Sequence, residues 1–205
     1  SMIATKLGCR VGLVSMDKKS IGRMSCNPAI GGVAKGQMVR EIDMLGGKMG
    51  VLADLSGIQF KTLNKKKGRA VWSPRAQVDK RSYEKKALQL ITKSKCSVLP
   101  GEAVSLFYNK NSVCGVLLRS GEKIKGSVVI ITAGTFLSGL IHIGERKVRA
   151  GRMGEERAKG LTEHLQSVGF VTGRLKTGTP PRLNKKSINW KKTEVTDGDK
   201  NPIPF

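Results

Sequence analysis

The stretch that most restricts the fold is "SVVIITAGTF", residues 127–136. A strand with one solvated face alternates apolar and polar residues. An unbroken apolar run of strand length asks for cover on both faces, as in the parallel sheets of α/β proteins. The run therefore predicts a fully buried parallel strand. It ends in Ala133-Gly134-Thr135, and ligands of open α/β sheets gather at the carboxyl ends of the strands.

A second constraint is "MSCNPAIGGVAKGQ", residues 24–37. Val39, Ile42 and Leu45 follow at three-residue steps, with Gly46-Gly47 as a stop, which predicts a helix over 33–45. A zinc site would want a second cysteine two to four residues from Cys26, and none is there. A disulfide would want a partner and an oxidising compartment. Three readings stay open for this loop. Gly31 and Gly32 could let backbone amides approach an anionic ligand at the helix N-terminus. The positive end of the helix could make Cys26 a reactive thiol. Or the loop is structural and its cysteine inert. Cys9, Cys96 and Cys114 lie in apolar, strand-like runs and are expected to be packed core residues.

The remaining pattern fits α/β organisation. Residues 1–8 read as the end of a helix closed by Gly8, followed by a strand at 10–15, the order in which a first βαβ unit continues. The strand and glycine fingerprint that open such a unit do not precede it, so we expect a portion of a longer protein. "GIQFKTL" (57–63) alternates like a strand. A basic loop then leads into a helix with Asp79 as N-cap and Tyr83, Ala87, Leu90 and Ile91 on one face. From 96 to 126, "CSVLP", "EAVSLFY", "SVCGVLLRS" and "EKIKG" are separated by Asn, Gly and Ser turns, which predicts an antiparallel meander with a hairpin near "YNKNS". Another helix is expected at 154–168. Pro180-Pro181 make 173–183 irregular, and 184–205 reads as loop.

Lys+Arg 38 against Asp+Glu 15 gives a net charge of +23. That balance favours acidic partners, nucleic acid first, although a lysine-rich source proteome would also produce it. Lys65, Lys66, Lys67, Arg69, Arg75, Lys80 and Arg81 surround Trp72, which we expect in the core. Arg174, Lys176 and Arg182 with Thr177 and Thr179 form a second anion-binding composition. His142 and His164 lack carboxylates at ligand spacing, so no metal is expected. No apolar run approaches the roughly 20 residues of a membrane helix, and no export signal is visible. Few, scattered cysteines suit a reducing cytosol.

Four motifs taken together are more specific than any alone: "MSCNPAIGG-x-x-KG", "GIQF-x-x-LN-x-x-KG-x-AVW-x-x-RAQ-x-D", "TAGTFL-x-G-x-IHIG" and "GRLKTGTPPR". In order and spacing the chain resembles the tRNA uridine 5-carboxymethylaminomethyl modification enzymes (the MnmG/GidA family) over essentially its whole length. The resemblance implies an α/β fold: an FAD-binding, Rossmann-like domain of glutathione-reductase type with an inserted antiparallel β meander and the start of a second domain. The FAD domain would take residues 1–140, with the meander at about 96–126, and a second α+β domain would begin at 141–205. The implied activity is FAD-dependent modification at C5 of the wobble uridine of tRNA, with a partner GTPase, NADH, and a folate as one-carbon donor. A homodimer and a cytoplasmic location, mitochondrial in a eukaryote, are implied as well. The catalytic residue would be Cys26. The cofactor would lie against Ser25, Asn27, Pro28, Gly31, Gly32, Lys35 and Gly36, against Ala103 and Val104, and against Ala133, Gly134 and Thr135. Lys66, Lys67, Arg69, Arg75, Gln77, Arg174, Lys176 and Arg182 would face tRNA or the active site. Two rival readings stay open: a folate-dependent tRNA uridine methyltransferase-like flavoprotein, and a non-catalytic basic RNA-binding module. The 205 residues themselves lack the glycine-rich pyrophosphate cradle, so the isolated stretch is expected to be inactive.

Overall fold

A computed structural model describes residues 1–24 and 26–205. The chain forms two compact units. One comprises Ser1–Gly12, Lys19–Ser97 and Thr177–Phe205, the other Leu13–Lys18 and Val98–Lys176.

The first unit is built on a three-stranded antiparallel sheet in the order β2-β4-β3, with β2 at Ala29–Gly31, β3 at Gly57–Leu63 and β4 at Ser73–Val78. On the central strand Ala76 and Val78 are buried at the period of one face, and Ser73, at odd spacing from them, is buried as well. Helices α2 (Lys35–Met44) and α3 (Met49–Ser56) pack on it, and α4 (Lys80–Lys93) packs against α3; α1 is Met2–Lys6. The core gathers Ile30, Val39, Leu52, Ala53, Ala76, Val78, Tyr83 and Ala87, with Phe60 and Phe205 against it. Burial raises the Tyr83 phenol above its ordinary value. The expected strand at 57–63 is β3. The Asp79 cap is also present: the Ser82 amide donates to its Oδ1 at 2.6 Å, and Tyr83, Ala87 and Ile91 face inward while Leu90 is only partly buried. The tail 184–205 is loop apart from two single 3-10 turns, Lys185–Ser187 and Trp190–Lys192. Its last residue is anchored, since the Phe205 amide donates to the Asp54 carboxylate at 3.1 Å.

Strands β1 (Gly12–Ser15) and β5 (Ser97–Pro100) pair with each other. The Ser97 amide donates to Val11 O at 3.0 Å and the Gly101 amide to Ser15 O at 2.9 Å. Both positions advance together, so the pair is parallel. This corrects the expectation that "CSVLP" opens the meander. Pro100 has no N–H for an antiparallel ladder, and Gly101, at φ 153°, turns the chain there. The meander of the second unit is β6 (Ala103–Asn109), β7 (Ser112–Leu118) and β8 (Lys123–Lys125), joined at the expected hairpin by Lys110-Asn111. A hairpin β9 (Ile141–Ile143) and β10 (Arg146–Val148) and helix α5 (Leu161–Ser167) complete it. Helix α5 is shorter than the predicted 154–168. Gly160 precedes it at φ 98°, a left-handed backbone that cannot continue a right-handed helix, and Ala158 is drawn into a parallel bridge with Leu137.

Three further expectations are corrected. The run 127–136 forms no strand, and Val128 and Ile130 are 76% and 74% exposed. Its composition asks for two covered faces and a ladder on each side, and the described residues supply neither. Cys9 is exposed rather than packed, because its amide closes the end of α1 on Ala4 O; Cys96 is buried and Cys114 half-buried. Trp72 stands on the rim of its loop, 37% exposed. Its indole N–H donates to Lys67 O at 3.1 Å, and the Arg69 guanidinium lies 5.7 Å from its ring centre. A cation–π contact and a satisfied N–H make that half-exposed position stable without burial. Among the described residues no helix is long and apolar enough to cross a membrane.

Candidate functional site

The cysteine loop of the first unit is held by the sheet. Ala29 stands opposite Gln77, Ile30 opposite Ala76 and Gly31 opposite Arg75, so "AIG" and "RAQ" form one antiparallel ladder. The Val78 amide extends it by donating to Pro28 O at 2.8 Å. With its amide oriented to satisfy both neighbours, Gln77 donates to Pro28 O at 3.2 Å and accepts from Arg75 Nη2 at 3.0 Å. Asn27 O accepts the Ala29 amide at 2.8 Å. Ser25 lies outside the described residues.

Strand β2 separates Cys26 from α2 in the chain, so the thiol does not belong to the first turn of that helix. Its observed partner comes from another motif: Cys26 Sγ lies 3.6 Å from Thr177 Oγ1. The segments "SCNPAIGG" and "KTGTPP" therefore meet at the sulfur. Thr177 was part of a noted composition, but nothing in the spacing of the motifs singled it out.

The three glycines of the loop serve different needs. A Cβ on Gly36 would stand 2.7 Å from Pro74 Cδ and 2.9 Å from Ser73 Oγ, and one on Gly31 would meet Pro74 O and lie 2.7 Å from Phe205 Cζ. Both let β4 and its surroundings come close. Gly32, at φ 100°, faces open space, with its amide donating to Pro74 O at 2.9 Å. Ala34, at φ 63°, precedes α2 without a side-chain cap, and Lys35 is exposed on its first turn. The basic residues Lys66, Lys67, Arg69 and Arg182 are exposed. Lys65 instead pairs with Asp199 at 2.9 Å. Burial alone would raise the Asp199 carboxyl, but Lys65 and the Thr62 amide outweigh it and hold the carboxyl below its ordinary value.

In the second unit a short staple joins the two expected cofactor segments. Glu102 accepts a forked bond from Arg119, with Nη2 at 2.8 Å, and the Lys159 amide at 2.8 Å. The Arg119 bond, more than any other contact, holds the Glu102 carboxyl below its ordinary value, and Glu102 in turn raises Arg119. A Cβ on Gly160 would stand 3.1 Å from Val104 Cβ and O, so the staple lies flat on the residues after Glu102. Beyond it, Glu163 accepts the Gly160 amide at 2.9 Å and the Ser138 hydroxyl at 3.0 Å. Its own backbone amide, then Ser138 and Gly160, lower its carboxyl. Ala158 exchanges backbone bonds with Phe136 and Ser138. Arg174 donates both terminal nitrogens to Ser138 O, at 3.1 and 2.7 Å. The sequence offered one sign of this staple: a glutamate three residues after a helix-start glycine, as in a capping box.

The residues of this unit fit a dinucleotide. Ala133, Gly134 and Thr135 are exposed, and their amides have no hydrogen-bond partner among the described residues. Gly134, at φ 62°, has no heavy atom within 4 Å of where a Cβ would stand. Unpaired amides and bare backbone suit a phosphate or pyrophosphate edge. Lys176, the residue before Thr177, is exposed. Among the described residues no three His, Cys, Asp or Glu side chains cluster as metal ligands would.

Comparison with known proteins agrees with this geometry. The family model described as "Glucose inhibited division protein A" matches residues 1–205. The tRNA uridine 5-carboxymethylaminomethyl modification enzyme MnmG of Flavobacterium psychrophilum is 46% identical over 98% of this chain and 33% of its own length. The enzyme of the same name from Karelsulcia muelleri is 47% identical over all of this chain and 34% of its own length. The chain thus spans about one third of the length of the curated relatives it matches. The solved structure of Aquifex aeolicus GidA superimposes with a TM-score of 0.91 at 43% identity, over 99% of this chain and 34% of that one. The fold is thus the Rossmann-like α/β fold of the solved GidA structures, with its antiparallel meander. On the strength of a family model spanning every residue and relatives of this closeness, the chain belongs to the glucose inhibited division protein A (GidA) family.

Proposed function

We propose that the protein this chain forms part of is an FAD-dependent enzyme that modifies C5 of the wobble uridine of tRNA. In this reading it works with a partner GTPase, draws on NADH and a folate one-carbon donor, and acts as a homodimer in the cytoplasm. The observation that carries the reading is the meeting of Cys26 with Thr177, which brings a nucleophile-competent side chain and a basic, proline-fixed segment to one place. Family membership supports it, as does the activity after which the similar enzymes of Flavobacterium psychrophilum and Karelsulcia muelleri are named. Intact bare backbone at Gly32 and Gly134 favours it over a basic RNA module that has lost its cofactor.

The residues that would hold the flavin are the 133–135 amides, the backbone at Ala103 and Val104, and the loop at Asn27, Pro28, Gly31, Gly32, Lys35 and Gly36. The flavin, when bound, supplies electron transfer. The chain's own part is more local. Cys26 presents a thiol in a rotamer that the Thr177 hydroxyl helps to hold, and Arg75 and Gln77 brace the strand behind it through Pro28. Lys66, Lys67, Arg69, Lys176 and Arg182 offer exposed positive charge to the tRNA backbone.

Replacing Cys26 by serine in the full-length protein tests this. Wobble-uridine modification should fall to background in nucleoside digests of tRNA, while flavin absorbance and thermal stability stay at the wild-type level. Cys114→Ser is the control and should retain activity. A Cys26→Ser protein with full activity would remove the thiol from the reaction.

A further inference from the structure

Arg174 looks, by composition, like a residue for nucleic-acid phosphate. We propose that it is instead a positioning residue for the dinucleotide turn 133–139, acting through Ser138. The inference rests on the flavin reading above and assigns one of its basic residues a different task.

Ser138 is one of four non-glycine residues with positive φ among those described, at 46°. That conformation costs free energy and persists only where the surroundings over-determine it. Here every polar group of the residue is engaged. Its amide donates to Ala158 O at 2.9 Å. Its hydroxyl donates to Glu163 at 3.0 Å. Its carbonyl accepts the two Arg174 nitrogens at 3.1 and 2.7 Å. The next residue, Gly139, has no room for a side chain, because a Cβ would stand 2.6 Å from Ala150 O. The chain is thus pinned immediately after Ala133-Gly134-Thr135, whose amides are exposed and unpartnered. Glu163 and Ala158 belong to the same staple that grips Glu102 and lies on Val104. One connected set of bonds therefore sets the position of both segments expected to line the dinucleotide.

A guanidinium forked onto a carbonyl has spent its geometry on that acceptor. Its charge still contributes to the surface field, but it is not a free phosphate fork. A lysine in its place keeps the charge and loses the fork.

The experiment uses the full-length protein as wild type, Arg174→Ala, Arg174→Lys, Ser138→Gly and the control Arg182→Ala. Four quantities are read: FAD affinity by titration of the apoprotein, thermal stability of the apoprotein, amide exchange of residues 133–139, and tRNA affinity across a salt series. Arg174→Ala is expected to weaken FAD binding about tenfold, in line with loss of a charged hydrogen bond, and to speed amide exchange in the turn. Apoprotein stability and the salt slope should hold. Arg174→Lys should bind tRNA like the wild type and recover little of the FAD affinity. Ser138→Gly relieves the strain but loses the hydroxyl bond, and it should weaken FAD binding less than Arg174→Ala. Arg182→Ala should leave FAD affinity unchanged. If Arg174→Ala lowers tRNA affinity and the salt slope with FAD affinity and turn exchange unchanged, the proposal is overturned and Arg174 is a phosphate contact. If apoprotein stability drops and amide exchange rises throughout the second unit, the residue is merely structural and the proposal fails too. If the wild type binds no FAD, the flavin reading fails by itself; faster exchange confined to 133–139 in Arg174→Ala would still support the pinning of the turn, and unchanged exchange would overturn it.

Discussion

At the scale of single residues, the loop "SCNPAIGG" shows why glycines in one motif are not interchangeable. Gly36 is a close-packing glycine, Gly32 is a conformational one, and Gly31, at φ 83°, is both. Gly36→Ala in the full-length protein should destabilise it by about 1–3 kcal/mol, because a Cβ must displace Pro74 or Ser73 from a well-packed contact. Gly32→Ala meets no atom and should cost only the left-handed backbone, about 1–2 kcal/mol. Gly68→Ala, with open space and an ordinary φ, should change nothing measurable. Denaturant midpoints at constant slope check the order. A Gly36→Ala protein as stable as wild type would show that β4 yields there. The sequence showed that these positions needed bare backbone, but it could not show which neighbour demanded it, because Pro74 and Phe205 lie far from them in the chain. Thr177 escaped for the same reason: a contact across 151 positions leaves no local signature.

Individual elements were legible where their physics is local. Helix α4 announces itself by Asp79 and by the spacing of Tyr83, Ala87 and Ile91. Asp79→Ala should cost about 1 kcal/mol through the lost cap, read as a lower thermal midpoint, with Asp79→Asn or Asp79→Ser recovering most of it. Strand β3 and the β6–β7 hairpin were legible by alternation and by their turn. Pairing was not. Strand β5 reads like any meander strand, and only the bonds to Val11 and Ser15 make it parallel to β1. The staple of the second unit makes a pH prediction. Glu102 and Glu163 both have carboxyls held below the ordinary 4.5. A group whose folded value is depressed contributes stability above its unfolded value and loses it as pH falls through the folded one. The second unit should therefore loosen as pH drops below about 4.5. Glu163 is exposed, and Glu102, its side chain 18% exposed, pairs with a half-exposed arginine, so the effect is modest. Tyrosine and amide probes placed in the two units would report it. Glu102→Gln should flatten the acid limb, and equal acid sensitivity in that variant would remove Glu102 as its source.

For the whole molecule, charge and connectivity decide most. If the balance of +23 serves tRNA, log affinity should fall against log salt with a slope of about −0.9 per phosphate neutralised on duplex, or about −0.7 on single strands. Lys66→Glu with Lys67→Glu should weaken tRNA binding without altering flavin content. A duplex of equal charge that binds as well as whole tRNA at every salt concentration would reduce the positive field to generic polyanion attraction. The fold class was legible through the four motifs that carry the family resemblance, whereas the apolar run that suggested a buried parallel strand forms none. The exposure of Val128 and Ile130 was not, since a composition states what a strand wants and not what stands beside it.

The first unit is discontinuous: the chain leaves it at Ser97 and re-enters at Thr177. That has a consequence in time. Strand β3 donates from Gln59 to Thr196 O and from the Thr62 amide to Asp199, and Asp54 accepts the Phe205 amide, only after the whole stretch between has been synthesised. Closing so long a loop is entropically costly, though the cost grows slowly, by about 0.6 kcal/mol per doubling of length. Folding of the intervening unit first would shorten it. On the ribosome, Cys26 therefore lacks its hydroxyl partner until the returning segment brings Thr177, and the Phe205 anchor closes the unit later still.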